Sequence, residues 1–286
     1  MRRLAVAAAA DEPVLESVVR AKKDDLADAI LVGEEAEIRP VLEKLGAEAM
    51  GFEILNAAAG TEGQAAVELV KDGKANVLMK GLLDTKALLG PVVKKENGLR
   101  TGAVMSHCAF FQLPNYHKLI INTDGGMMLY PTVEEKRHII ENAVSAMHAL
   151  GYEKPKVACL CGVEKFNPKM QETVDAAQLQ KWNEEGVLTG CTVEGPISYD
   201  IAMSPEIAHH KGYRSENCGD FDIFLVPNLV CGNLMGKCYS VTVGALMAGI
   251  IMGAKAPIVL TSRGASSEEK YNSIALASLV AAGMCR

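Results

Sequence analysis

The chain has 286 residues, with 29 Lys and Arg against 35 Asp and Glu, and a formal charge of −6. That acid excess argues against a nucleic-acid partner, because phosphate-backbone binding draws on clustered cations. No apolar run reaches the roughly 18 to 20 residues of a membrane span, and 49% apolar residues with only 5% aromatics fit buried parallel strands under helices better than a β-sandwich.

The N-terminal run MRRLAVAAAADEP meets acid after about seven apolar positions and reads as a first buried strand, residues 4–10, rather than a secretion signal. Further strands are predicted at 29–32, 52–55, 76–79, 103–111, 118–123, 156–160, 190–193, 222–226 and 258–260. Helical periodicity fills the gaps at 13–24, 34–45, 62–72, 85–95, 132–150, 168–185, 202–211, 234–252 and 266–282. This alternation predicts repeated βα units and mainly parallel sheets. Residues 103–123 break it, and are expected to form an antiparallel pair beside a domain boundary. Ten strands exceed one small sheet, so one large α/β unit or two lobes fit the length, and the turn at Leu129–Pro131 is expected to lead into a second lobe packed on the first around a cleft. The eight Cys show no Cys-x-x-Cys or zinc spacing and read as small core residues in a reducing cytosol.

In parallel sheets, ligands gather beyond the carboxyl ends of the strands, so the residues following each apolar run carry the functional information. Strand 76–79 ends in Lys80–Gly81, and Lys80 is a candidate to neutralise a phosphate, although a surface lysine at a strand end is as common. Strand 118–123 ends in Asp124–Gly125–Gly126. Strand 222–226 ends in Pro227–Asn228–Leu229–Val230–Cys231–Gly232–Asn233, where Asn228 and Asn233 offer amide donors to an oxyanion or phosphate. The plainer alternative there is a turn followed by a helix cap. Strand 258–260 ends in Thr261–Ser262–Arg263–Gly264, followed by Ser266 and Glu269, so a guanidinium and free helix N–H groups converge as an anion clamp would require. A simple capping box at Ser266 and Glu269 is the competing reading. His107 reads as a semi-buried residue rather than a base. No Walker loop, dinucleotide fingerprint, nucleophile elbow or zincin motif is present in the sequence.

Taken in order, VLMKGLLDTKALL (77–89), EKPKVACLCGVEKFNPKMQETVDAAQL (153–179), VEGPISYDIA (193–202), FDIFLVPNLVCGN (221–233) and PIVLTSRGASSEEKY (257–271) closely resemble the phosphate acetyl/butyryltransferase family. The MKG and PNLVCGN forms are more similar to its butyryl branch. The resemblance implies two α/β/α lobes with mainly parallel sheets, 1–128 with 266–286 and 129–265, in an isocitrate/isopropylmalate dehydrogenase-like fold with its site in the cleft, and a homo-oligomer, dimer or higher. It implies the reaction acyl-CoA + phosphate ⇌ acyl phosphate + CoA in the cytoplasm, with CoA as substrate and neither a permanently bound cofactor nor a metal. Ser262 and Arg263 match the family's Ser-Arg pair, and Glu269 falls where relatives carry an Asp, one methylene shorter. The implied roles are catalysis by Ser262, Arg263 and Glu269, with Lys80, Asn228 and Asn233 binding substrate or phosphate. A phosphate acetyltransferase is the nearest alternative. A metal- and NAD-dependent dehydrogenase of the same fold, or a two-lobed anion-binding protein, are the others.

Overall fold

The computed structural model describes residues 2–262 and 264–284, so Arg263 and Cys285 lie outside the described residues. In chain order the elements begin with β1 (Arg2–Ala7), α1 (Glu12–Lys23), β2 (Ala27–Gly33), α2 (Glu35–Lys44), β3 (Glu53–Asn56), α3 (Glu62–Lys71), β4 (Val77–Lys80) and α4 (Thr85–Val93). They continue with β5 (Ser106–Gln112), β6 (Leu119–Thr123), α5 (Val133–Ala149), β7 (Lys156–Leu160), α6 (Gln171–Glu184), β8 (Thr192–Ile197), α7 (Tyr199–Met203), α8 (Pro205–His210), β9 (Ile223–Leu225) and α9 (Leu229–Lys237). The last three are β10 (Leu246–Met252), β11 (Ile258–Val259) and α10 (Ser267–Met284).

The chain divides into two compact units, Met1–Ala103 with Ala248–Arg286, and Val104–Met247. The breaks therefore fall at 103/104 and 247/248, not at the 128/129 and 265/266 expected from sequence. Pairing explains the difference. Strand β6 runs parallel to β9 and antiparallel to β5, which draws residues 104–128 into the second unit. Strand β11 runs parallel to β4 and antiparallel to β10, which draws residues 248–265 into the first.

In the first unit the strand order is β3-β2-β1-β4-β11-β10, parallel except for β10. Its strands read as continuous apolar runs because helices cover both faces: Ala5, Val6, Leu31, Leu78, Met79, Ile251 and Ile258 are all buried. Helix α1 starts where Asp11 accepts a hydrogen bond from the Val14 N–H, and it packs against α10.

In the second unit the order is β5-β6-β9-β7-β8, with β9 inserted between β6 and β7. Phe111, Ile120, Ile197, Phe221 and Phe224 form one core cluster there. The antiparallel β5–β6 pair expected from residues 103–123 is present, with Phe110 opposite Ile121. Helix α5 opens with a complete capping box between Thr132 and Glu135, and lies against α6.

Residues 234–252 are not the single helix their periodicity predicts. Helix α9 ends at Lys237, a π-type turn spans Cys238–Thr242, and Gly244 adopts a left-handed φ of 72° that a helix cannot accommodate. The run from Leu246 then enters the sheet, where β-branched Ile250 and Ile251 pair with Val259 and Ile258. The helix expected at 202–211 is likewise two short ones, broken at Ser204–Pro205, where Ser204 caps the second. Among the described residues, no helix is long and apolar enough to cross a membrane.

Candidate active site

The first unit brings two of the predicted tips together by register. Ile258 is level with Leu78 and Val259 with Met79, so Lys80 and the segment leading to Ser262 leave the same edge of neighbouring parallel strands. Lys80 is not the surface lysine that a strand end usually presents: it is only 6% exposed, with its ammonium 3.5 Å from the Gly81 carbonyl oxygen. Gly81 is required by close approach rather than by φ, since a Cβ there would lie 2.2 Å from the Ala8 carbonyl oxygen. Its N–H donates to the Ala7 carbonyl and so fixes where the chain turns away from β4.

Beyond β11, Ser262 is exposed and its hydroxyl faces the Gly264 N–H at 3.4 Å. The loop is tied down by Lys270, a buried lysine whose ammonium donates to the Ala265 carbonyl at 2.7 Å. Ser266 caps α10 by accepting from the Glu269 N–H at 3.2 Å, so the capping interaction weighed from sequence is real. It leaves the Glu269 carboxylate available. That carboxyl is half-buried in the first turn, and burial raises its pKa above the ordinary 4.5, partly opposed by neighbouring Lys270. A carboxyl held in this way is a better proton acceptor than a fully solvated one.

The second unit carries the two asparagines. Asn228 is the N-cap of α9, its side-chain oxygen accepting from the Cys231 N–H at 3.1 Å, which leaves the amide NH2 group to donate elsewhere. Asn233 commits its Nδ2 to the Gly125 carbonyl at 3.3 Å. The plainer reading of this segment thus holds for the Asn228 oxygen, while the Asn233 amide ties α9 to the loop after β6.

That loop is organised by Asp124, a buried residue whose role is not visible in sequence. Its carboxylate accepts from the Gly126 and Met127 N–H groups, each at 2.7 Å, and from the His107 N–H at 2.9 Å. Gly125 and Gly232 touch through their backbones, where a Cβ on either would come within 2.7 Å of the other residue. Asn122 completes the lock by donating to the Gly232 carbonyl at 2.8 Å. Gly232→Ala is therefore expected to destabilise the protein by about 1–3 kcal/mol or more, through displacement of the N-terminal turn of α9. Thermal denaturation checks this, and an unchanged melting temperature would contradict it. His107 packs on Gly126 with its Nδ1 unpartnered among the described residues, and burial lowers its pKa while Asp124 pulls it back up.

The thiols divide by position. Cys108, Cys159, Cys161, Cys191 and Cys218 are buried, as core residues should be, whereas Cys231 and Cys238 are exposed, contrary to that expectation. Burial pushes the Cys161 thiol up to about 12 and that of Cys191 up to about 11, so neither is an activated nucleophile. Among the described residues, no group of three or more His, Cys, Asp or Glu is arranged to hold a metal ion.

Comparison with known proteins shows the family. The family model described as phosphate acetyl/butaryl transferase matches residues 41–278. The chain belongs to that family. A phosphate butyryltransferase of Clostridium acetobutylicum is 49% identical over 282 residues, spanning 98% of this chain and 94% of that protein. A phosphate acetyltransferase of Thermotoga maritima is 38% identical over 280 residues, spanning 98% and 95%. Among solved structures, a branched-chain phosphotransacylase from Enterococcus faecalis superposes with a TM-score of 0.87 at 31% identity, covering 98% of this chain and 99% of that one. A 4-hydroxythreonine-4-phosphate dehydrogenase from Burkholderia phymatum, at 15% identity and a TM-score of 0.57 over 99% and 98% of the two chains, shares the fold alone. The mixed α/β architecture, with mainly parallel strands in each unit, is thus the fold shared by phosphotransacylases and this dehydrogenase.

Proposed function

We propose that this chain transfers a short acyl group, butyryl in preference to acetyl, between CoA and inorganic phosphate. The observation that carries this is the 49% identity to a phosphate butyryltransferase across nearly the whole of both proteins, against 38% to a phosphate acetyltransferase. The strand register that sends Lys80 and the Ser262 loop off one sheet edge, with Glu269 in the helix that follows, supports it.

In the proposed reaction a phosphate oxygen attacks the thioester carbonyl carbon, the C–S bond breaks, and acyl phosphate and CoA leave. Arg263 and Lys80 hold and orient the phosphate, which supplies rate by removing translational freedom. The Ser262 hydroxyl donates to the carbonyl oxygen as negative charge develops there. Protonated Glu269 gives its proton to the departing sulfur. In the reverse direction it takes the proton from the CoA thiol, so that the thiolate attacks acyl phosphate. CoA enters as substrate, and no covalent acyl-enzyme is needed. We place the enzyme in the cytoplasm, where unpaired thiols such as Cys108 and Cys159 stay reduced, and as a homo-oligomer.

The test is phosphate-dependent thiol release from butyryl-CoA and acetyl-CoA. Release is expected with both, at a kcat/KM about tenfold or more in favour of butyryl-CoA, the discrimination two methylenes allow in an apolar pocket. No phosphate-dependent release from either would reject the transferase reading, and a preference for acetyl-CoA would reject the butyryl assignment.

A further inference from the structure

The second unit holds a cavity of about 490 Å³ with no role in the scheme above. It lies beyond the carboxyl ends of β7 and β9, at the point where the chain leaves β6 for α5, β7 for α6 and β9 for α9. Ligands collect in such crevices of parallel sheets, and the volume is that of a small-molecule site. Its walls include Tyr130, Val133, Pro227 and Asn228, whose amide NH2 group is left to donate by the capping of α9.

Its floor is unusual for a core. Lys136 and Asp175 form an ion pair at 2.7 Å with side chains only 6% and 7% exposed, and the Gln171 amide donates to the other Asp175 oxygen at 2.7 Å. Burying such a pair gains little stability over apolar residues of the same size, so it points to the cavity above it. Lys136 is spent on Asp175, which leaves Glu172 as the remaining charge on the wall. A carboxylate with that neighbour repels phosphate and accepts hydrogen bonds from N–H groups. The occupant the chemistry selects is therefore uncharged, part aliphatic, and bears amide N–H donors.

Given the proposed function, on which this rests, one substrate portion has that character. We infer that the cavity holds the pantetheine arm of CoA, its methylene and dimethyl segments against Tyr130 and Pro227, and its amides facing Glu172, Gln171 and the Asn228 amide. The phosphates of the nucleotide are kept outside.

Filling the cavity tests this. Val133→Phe is expected to raise KM for butyryl-CoA, and the dissociation constant of free CoA measured by calorimetry, by about tenfold or more. KM for phosphate, and kcat/KM for the truncated thioester S-butyryl-N-acetylcysteamine, should stay within about twofold, because neither places atoms in the cavity. Glu172→Gln, which leaves the volume unchanged and guards against misfolding of the first variant, should raise KM for butyryl-CoA about three- to tenfold, the worth of one charge-assisted hydrogen bond. Unchanged CoA affinity in both variants would overturn the inference. So would a rise confined to phosphate, or an equal loss with the truncated thioester. Wild-type protein that binds CoA without turnover would reject the functional reading, while the calorimetric comparison would still decide the cavity.

Discussion

Replacing Glu269 by Gln is expected to lower turnover by about 10²–10⁴-fold, the usual contribution of a positioned general acid or base. The amide keeps the size of the side chain but can neither accept nor return a proton. Burial raises the pKa of this carboxyl above 4.5, so the wild-type rate of acyl-CoA synthesis should fall as the pH drops through that raised value. The variant should lose this acidic limb altogether. Stability should move the other way. A folded-state pKa above the unfolded one means that the folded protein holds this proton more tightly; its contribution favours folding below the unfolded pKa and is lost as pH rises through the folded pKa. Ionising Glu269 above its folded pKa is thus a cost, and there Glu269→Gln should melt at or above the wild-type temperature. Steady-state rates across pH, set beside a thermal melt, check both halves. Full activity, or an activity loss that tracks a lower melting temperature, would show that Glu269 is only structural.

Asp175→Ala is expected to have the largest effect on stability, about 3–5 kcal/mol, because it strands the Lys136 ammonium in a buried site. The melting temperature should fall by roughly 10 °C or more. The pair is not expected to be a net source of stability, so the double variant Lys136→Met with Asp175→Leu should recover most of the loss. A double variant no better than Asp175→Ala would mean that the pair itself, rather than the uncompensated charge, holds α5 against α6.

Much of this molecule was legible in its sequence because parallel sheets covered by helices leave a clear mark. Runs such as 157–161 and 77–79 are apolar throughout, the helices between the strands carry caps at Asp11 and Thr132, and the ends of the strands therefore named the polar residues worth attention. Ambiguity entered where a run was both apolar and rich in glycine. Residues 246–252 satisfy helical and strand patterns alike, and only pairing with β11, which is remote in neither chain nor space, decides for the strand. The unit boundaries were misplaced for the same reason, since they depend on which strands pair and not on composition. Of the site residues, Ser262, Lys80 and Glu269 stand at strand and helix ends as the spacing implied, while Arg263 lies outside the described residues. Asn233 illustrates the limit of spacing: an amide at a strand tip can serve a ligand, the backbone or both, and its donation to the Gly125 carbonyl was not visible in the sequence. The Lys136–Asp175 pair carried no local signal, because its members lie on different helices, and the tie from Asp124 to the His107 N–H was hidden for the same reason, although its bonds to Gly126 and Met127 are local.

The most direct measurement is phosphorus NMR of the purified protein mixed with butyryl-CoA and inorganic phosphate. A butyryl phosphate resonance should grow as CoA thiol is released in equal amount, and Arg263→Ala should abolish both. Thiol release with butyrate and unchanged phosphate as the products would make the protein a thioesterase, and would contradict phosphate as the acyl acceptor.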